Sequence, residues 1–579
     1  MDNLPDKFFQ SANKYANKTA LLYKKEGVYF PIKYKELALQ IKNFAFTLQD
    51  KFSIRKNDKI AILSENRPEW LISDLAIMAI GGISVPLHTT LNSEAIINVL
   101  EHSEARILIA SNSNLLNKVL INKNKLNYLE NIIIFEDLPV IEKANLSVKV
   151  LNFHNLIDHN ESLAFRKVDI NEDDCCTIIY TSGTTGEPKG VMLSHKNILS
   201  NVKSVNTAIP AKDTDVFLSF LPLSHALERT TGQFIPILCG STIAYAENSK
   251  TLAKNLKEVR PTILISVPKI FEKFHDAIWD KVNKSSKLKK KLFKWALKQN
   301  KNTFKYKIAD YLVFKKIRNN LGGRLRISIS GGAKLNENLV KFFSKIGILI
   351  LEGYGLTETS PVVSVTTEND MKNFGKIGVG RGLSGIEIRI SNEKEILIKG
   401  QNVFSQYYKN NEATKKSFDK DNWFCTGDLG YIDSNGFLSV TGRKKEMIVL
   451  SGGKNVWPEY IENLLNNDKF ISQSMVIGDN QNFVSAIICP DWQEVELYLK
   501  SNNLPLQSHQ SLVKDKKIIK IFEDRITEKI NLNLSDFEKI KKIILLSEEF
   551  TQEKGELTPT FKLRRHIILH HNDKLIKSL

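Results

Sequence analysis

Short β-branched apolar runs alternate with helical stretches along most of this chain, and that alternation restricts the fold more than any other feature. Lys59–Leu63 reads as a strand, 70–80 as a helix and Ile83–Leu87 as a strand. Then 93–102 reads as a helix with Ser93 placed to cap it, followed by strands at 106–110 and 132–135. The pattern resumes with strands at 177–180, 216–221, Thr242–Tyr245, 263–267, 325–330 and 349–351, many separated by helices such as Leu252–Val259 and Glu337–Lys345. Apolar strands separated by helices pair in parallel, with helices on both faces of the sheet. The expected class is therefore α/β, with a large N-terminal body of layered, mostly parallel sheets with helices plus a small β-barrel-like part. After about residue 370 the character changes. The stretches 375–385, Ile386–Ile390 and 395–399 read as short antiparallel strands with glycine turns, and helices follow near 459–465 and 491–500. This predicts a smaller α+β C-terminal domain, with the division at 1–441 and 442–579.

Charge is distributed unevenly. The chain carries +18, from 82 Lys+Arg against 64 Asp+Glu. Segment 280–326 holds sixteen basic residues against Asp280 and Asp310, so +14 sits there and the remainder is nearly balanced. Within it, Leu288, Leu292, Phe293, Trp295 and Ala296, then Ile308, Tyr311, Leu312 and Val313, have the spacing of amphipathic helices. Two readings stay open: a solvated helical hairpin, or a basic amphipathic surface making peripheral contact with an anionic membrane. Nucleic acid is not expected, because aromatic residues are not interleaved as a single-strand reader needs. Five cysteines, none in a Cys-x-x-Cys pair, fit a reducing cytoplasm rather than a disulfide framework or a zinc site. No signal-peptide core is visible at the start. The longest apolar stretch, 70–87, is interrupted by Asp74 and Gly81-Gly82, so it reads as a buried helix and strand rather than a membrane span.

The strongest chemical signal is Thr181-Ser182-Gly183-Thr184-Thr185-Gly186-Glu187-Pro188-Lys189-Gly190, after the strand 177–180 and before a helix starting near His195. Small residues let a backbone close around an anion, with N–H groups and hydroxyls as donors and Lys189 as a point charge. The Walker spacing is not met. Glu352-Gly353-Tyr354-Gly355-Leu356-Thr357-Glu358 supplies a ring to stack on a purine (Tyr354), a phosphate donor (Thr357) and a carboxylate for Mg²⁺ (Glu358). Mg²⁺ takes one or two carboxylates together with phosphate oxygens. In Ser330-Gly331-Gly332-Ala333, missing side chains let a flat ring approach the backbone. Asp428, in Thr426-Gly427-Asp428, suits the two hydroxyls of a ribose.

In content and order these motifs resemble the adenylate-forming, AMP-binding superfamily of acyl-CoA synthetases, luciferases and peptide-synthetase adenylation domains. The resemblance covers most of the chain. It implies that the 181–190 loop holds ATP phosphates, with Thr181 a second oxygen near the Mg²⁺ at Glu358. It places Gly331, Gly332 and Ala333 against the adenine, along with the Gly353-Tyr354-Gly355 strand, and Arg443 on the ribose or phosphate side. Gly442-Arg443-Lys444-Lys445-Glu446 matches the start of the family's mobile C-terminal domain, with Lys445 at the hinge. Gly453 and Lys454 match the loop lining the thioester-forming face, where CoA approaches. Lys562 matches the catalytic lysine that reaches between carboxylate and α-phosphate. His225 matches a histidine near the acyl carboxylate, and 225–229 and 267–271 are the acyl-pocket neighbourhoods. Some long-chain members carry an aromatic gate four residues after that histidine, where Arg229 stands here.

Three features resemble the long-chain fatty-acyl-CoA synthetases: 221–229, the basic insert before Gly322-Gly323-Arg324-Leu325-Arg326, and 557–565. In the last, Thr560-Phe561 replace the Ser-Gly that many relatives carry before the lysine. The implied substrates are a long-chain fatty acid, ATP with Mg²⁺, and CoA. A carrier domain after Lys562 is not expected, since only seventeen residues follow. A fatty-acyl-AMP ligase, a carrier-protein ligase and a non-catalytic nucleotide- or lipid-binding relative stay open as alternatives. Acyl length and oligomeric state are not legible.

Overall fold

A computed structural model describes residues 2–121, 125–137, 149–157, 165–181, 188–248, 250–375, 377–558 and 562–577. The chain divides into two units, Met1–Ile388 with Ile398–Cys425, and Arg389–Leu397 with Thr426–Leu579.

Two large sheets organise the first unit. Lys59–Leu63 pairs in parallel with both Ile83–Leu87 and Ala105–Ala110, as three short apolar runs separated by helices require. The full order is Gln406–Tyr407, Lys189–Ser194, Cys175–Thr181, Ile83–Leu87, Lys59–Leu63, Ala105–Ala110, Asn131–Ile134, Lys149–Asn152. The second sheet has nine strands, in the order Arg381–Gly382, Val362–Val365, Ile350–Gly355, Ile327–Ser330, Ile263–Ser266, Val216–Ser219, Thr242–Tyr245, Thr19–Lys25, Val28–Lys33. Its centre is parallel and its edges antiparallel. The helix Pro68–Ala79 is buried along nearly its whole length, Asp74 included. Asp74 is tolerated there because Arg229, itself 1 % exposed, donates to it from Nε at 3.0 Å and from Nη2. A buried charge of this kind needs a hydrogen-bonded partner.

A four-stranded sheet, Ile386–Ile390, Glu395–Gly400, Phe424–Ile432 and Leu438–Arg443, is the half-barrel part, and the division between units falls within its strands. In the second unit, Ile471–Ile477, Val484–Pro490 and Ile540–Leu545 form a three-stranded sheet. Val484–Pro490 is buried at every position, and helices Pro458–Asn466, Trp492–Ser501 and Lys516–Arg525 contribute to the same apolar cluster.

Several local expectations shift. The helix Ser93–Ser103 is capped by Asn92, whose Oδ1 accepts from Ala95 N at 2.9 Å, and not by Ser93. Both are good capping residues, so the pattern left a one-residue ambiguity. Among the described residues of 375–385, only Arg381–Gly382 is a strand, and Glu368–Phe374 before it is a helix with a Thr367 cap. Lys189–Ser194 is an additional strand, antiparallel to Cys175–Thr181. The basic segment folds as helices Pro268–Asn283, Lys287–Lys298, Phe304–Ala309 and Lys315–Asn320, with a π-helical turn at Asp310–Phe314.

Candidate nucleotide and acyl site

In the first unit the site grows from a hairpin. Thr181 and Lys189 are partners at the open end of the paired strands Cys175–Thr181 and Lys189–Ser194. The expected phosphate-loop residues Ser182, Gly183, Thr184, Thr185 and Gly186 lie outside the described residues. The strand after the loop explains Gly190: a Cβ there would lie 2.8 Å from Ile178 Cγ2 and 3.2 Å from the Tyr180 ring. The helix His195–Ala208 follows the strand, capped by Ser194. The loop thus opens from a hairpin and not directly onto a helix N-terminus.

Against that hairpin lies the turn Thr357–Thr359. The short strand Gln406–Tyr407, paired with Lys189–Ser194, joins the two. Tyr407 Oη donates to Glu358 Oε1 at 2.8 Å, and the Lys189 ammonium lies 5.1 Å from the Tyr407 ring centroid. Burial and the Glu358 carboxylate push the Tyr407 phenol up, so it stays protonated and keeps donating. Phe404 N donates to Glu358 O at 2.8 Å. Lys189, Tyr407 and Glu358 are therefore one connected group.

The preceding strand shows why its glycines matter. A Cβ on Gly355 would sit 1.8 Å from Pro361 O, so no side chain fits there. Tyr354 is half-buried beside it, opposite Ser364. Glu352 is 4 % exposed and accepts from Leu335 N at 2.9 Å, which ties this strand to the segment following Ala333. Burial pushes the Glu352 carboxyl up to about 7. At the Gly331–Gly332 turn, a Cβ on Gly331 would lie 2.8 Å from Leu227 Cδ2, and Gly332 has φ +85°. Leu227 belongs to the His225 segment, so two motifs about a hundred residues apart in sequence meet here.

His225 is half-buried, with its ring 6.4 Å from that of His88. His88 Nδ1 is 2.6 Å from Ser224 Oγ, and desolvation pushes the His88 imidazole down to about 4 although part of the residue stays accessible. His88 is thus neutral at physiological pH. Asn66 Nδ2 donates to Leu221 O at 2.7 Å and its Oδ1 accepts from Leu223 N at 3.2 Å, which fixes the chain just before His225. Arg229 faces the other way, onto Asp74 and Thr177 Oγ1, so it is a structural lock and not a gate.

The second unit carries its own cluster. Asp428 and Arg443 are strand partners, with Arg443 Nε 2.9 Å from Asp428 Oδ1. Asp428 N is held by Thr426 Oγ1 at 3.0 Å, and Gly427 takes φ +73°. Thr558 N donates to Lys562 O at 2.8 Å and Lys562 N to Thr558 Oγ1 at 2.9 Å; residues 559–561 lie outside the described ones. The Lys562 ammonium is held below the ordinary lysine range by desolvation and by Arg443, against the pull of Asp428, Glu459 and Glu446. Arg565, three residues on, grips both Glu462 oxygens at 2.6 Å. Lys445 is exposed in the turn Lys444–Glu446. Gly453 takes φ +72° in the hairpin between Ile448–Val449 and Asn455–Val456, with Lys454 beside it at the surface.

The AMP-binding enzyme family model matches residues 8–408, and the model of the AMP-binding enzyme C-terminal domain matches 445–579. The chain belongs to the AMP-binding enzyme family. A relative in Mycobacterium bovis, the long-chain-fatty-acid–CoA ligase FadD15, is 34 % identical over 94 % of this chain and 91 % of its own length. Fatty acyl-CoA synthetase A of Dictyostelium discoideum is 34 % identical over 96 % of this chain and 86 % of its own length. Among solved structures, the adenylation domain of a Mycobacterium chelonae carboxylate reductase matches with TM-score 0.81 at 20 % identity, over 100 % of this chain and 91 % of that one. The anthranilate CoA ligase AuaEII, in complex with anthranoyl-AMP, matches with TM-score 0.75 at 19 % identity, over 100 % and 98 %. Those two show the fold of an AMP-binding enzyme.

Two residues of this AMP-binding enzyme's site escaped the sequence reading. Tyr407 sits in the unremarkable Gln406-Tyr407-Tyr408-Lys409, and only its pairing with Lys189–Ser194 brings it to Glu358. His88 had a readable signal, since it follows the C-terminal end of a parallel strand, where α/β sites form. Mg²⁺ fits the residues present. No cluster of three His, Cys, Asp or Glu groups among the described residues could cage a metal, and Glu358 is a held carboxylate of the kind Mg²⁺ uses together with substrate phosphates.

Proposed function

We propose that this AMP-binding enzyme activates a long-chain fatty acid with ATP and transfers it to CoA, giving acyl-CoA, AMP and pyrophosphate. The observation that carries the reading is the Lys189–Tyr407–Glu358 group at the mouth of the Ser/Thr/Gly loop. The names of relatives covering nearly the whole chain support the acyl and CoA halves.

A fatty-acid carboxylate oxygen attacks the α-phosphorus of ATP. The bond from that phosphorus to the bridging oxygen breaks, and pyrophosphate leaves. Thr181, Lys189 and Thr357, with residues of the 182–187 loop, donate to the phosphates. Lys562 stabilises charge developing between carboxylate and α-phosphate. Well-placed donors of this kind contribute roughly 3–4 kcal/mol each. Glu358, with Thr181 as a second oxygen, would hold Mg²⁺, which would neutralise charge on the same phosphates. Tyr354 stacks on the adenine against Gly331, Gly332, Ala333, Gly353 and Gly355, and Asp428 with Arg443 takes the ribose. His225 orients the acyl carboxylate. In the second half, the CoA sulfur attacks the acyl carbonyl carbon, the thiol proton is lost, and AMP leaves with the C–O bond electrons. Gly453 and Lys454 line the thiol's approach, and Lys445 is the hinge of a lid domain at 442–579.

We place the enzyme in the cytoplasm, a compartment that suits its five free cysteines. Among the described residues, no helix is long and apolar enough to cross a membrane. The test is product analysis with a long-chain fatty acid, ATP and Mg²⁺, with and without CoA. Acyl-CoA and AMP form with CoA present, and acyl-AMP without it. Adenylate that persists when CoA is added assigns the chain to the AMP-ligase or carrier-protein class instead.

A further inference from the structure

A helix that buries one side against a core ordinarily turns a polar side to water. The run from Phe304 to Asn320 does not. Its inner side is fixed: Ala309 and Phe314 are fully buried, Tyr306 Oη donates to Lys345 O at 2.8 Å, and Arg318 pairs with Asp310. On the opposite side Phe304 is 77 % exposed and Tyr311 70 % exposed, with Ile308 and Leu312 exposed between and beside them. Their spacing of i, i+4, i+7 and i+8 makes one continuous apolar stripe. Lys305, Lys307, Lys315 and Lys316 flank it, all exposed. The neighbouring helix Lys287–Lys298 repeats the plan, with Phe293 and Ala296 inward, Leu288 at 78 % exposure, and Lys289, Lys291 and Lys294 around it.

The charge on this face is uncompensated within the chain. Arg318 and Arg326 are paired with Asp310 and Asp215. The thirteen lysines from Lys281 to Lys316 make no ion pair among the described residues, and the hydrogen bond from Lys301 Nζ goes to a hydroxyl, Ser344 Oγ. Unpaired like charges repel one another, and an anionic partner relieves that repulsion. A flat anionic headgroup layer does so while the aliphatic and aromatic stripe enters the acyl boundary and the lysine heads stay in the headgroups. A polynucleotide matches the lysines but offers no hydrocarbon for Leu288, Ile308 and Leu312. We infer that the face formed by Lys287–Lys298 and the Phe304–Asn320 run docks on an anionic lipid bilayer. Its inner residues Ala296, Ala309 and Phe314 share one apolar cluster with Val267, Ile270 and Phe271, the neighbourhood assigned to the acyl chain. The docked face is therefore the outer wall of the part of the protein that takes up a membrane-borne substrate.

The full chain is tested by flotation with phosphatidylcholine vesicles, with and without phosphatidylglycerol, in the absence of ATP and fatty acid, so that the outcome does not depend on the ligase reading. The inference expects binding to anionic vesicles that weakens with salt, and little to neutral ones. Each lysine near the surface is worth about fivefold in partitioning. The double variant Lys289→Glu/Lys291→Glu therefore binds at least tenfold more weakly, as does Phe304→Ser/Tyr311→Ser. All four side chains face solvent, so unchanged thermal midpoints show that the fold is kept. Equal binding to neutral and anionic vesicles overturns the inference. So does binding that survives both double variants, or duplex RNA competing fully for the same face while the Phe304→Ser/Tyr311→Ser protein binds vesicles normally.

Discussion

Two arginine–aspartate pairs in this protein look alike on paper and differ in what surrounds them. Arg229 and Asp74 are both sealed, with side chains 1 % and 0 % exposed, and Arg229 also donates to Thr177 Oγ1 at 2.7 Å. Arg443 and Asp428 sit on paired strands with Asp428 buried, but 36 % of the Arg443 side chain reaches solvent. In the first pair the charges hold the helix Pro68–Ala79 to the π-helical turn Glu228–Phe234. In the second, an incoming ligand can reach the pair and exchange partners with it. Accessibility, more than pairing, separates a lock from a binding site.

The comparison is most exposed to failure at Asp74. Asp74→Ala leaves Arg229 charged in a closed interior, so it lowers stability by about 3–5 kcal/mol. Arg443→Ala lowers stability by only about 1 kcal/mol while raising the KM for ATP. Denaturant unfolding of both variants checks this, and equal losses would erase the distinction. Next in size, Lys562→Ala slows adenylate formation by about 10²–10³-fold and spares thioester formation from added acyl-AMP. Equal loss in both half-reactions would remove Lys562 from the first step.

Glu228 sharpens the contrast inside the lock. It lies beside Arg229 yet takes no part in its pairing with Asp74, and burial, opposed by Ser219, pushes its carboxyl up to about 8. The folded state keeps this proton where the unfolded state has released it, so stability falls as pH rises from about 5 to 8. Glu228→Gln flattens that dependence by roughly 3–4 kcal/mol, read from unfolding midpoints at the two ends of the range. The smallest effect belongs to Tyr407→Phe, which removes one hydrogen bond of about 1 kcal/mol from Glu358. The Mg²⁺ concentration for half-maximal activity rises several-fold, with thermal stability nearly unchanged.

Much of this architecture was legible because buried parallel strands are written as short apolar runs. Lys59–Leu63 and Ile83–Leu87 form at the residues the pattern marks. The strand Lys189–Ser194 was hidden because Pro188-Lys189-Gly190 reads as the end of a loop, and its pairing with Gln406–Tyr407 joins segments over two hundred residues apart. That distance is also why Tyr407 was missed. Asp74 was visible only as an interruption, since its partner lies 155 residues away. Glycines identified by motif gain a steric reason in the structure, as at Gly355 against Pro361 O.

The central claim is tested most directly by exchange of labelled pyrophosphate into ATP, with Mg²⁺ but without CoA, across fatty acids from short to very long. The account predicts exchange that requires a fatty acid, is strongest with long chains, and disappears in Lys562→Ala. ATP turnover without exchange, or exchange indifferent to the presence of any fatty acid, would contradict it.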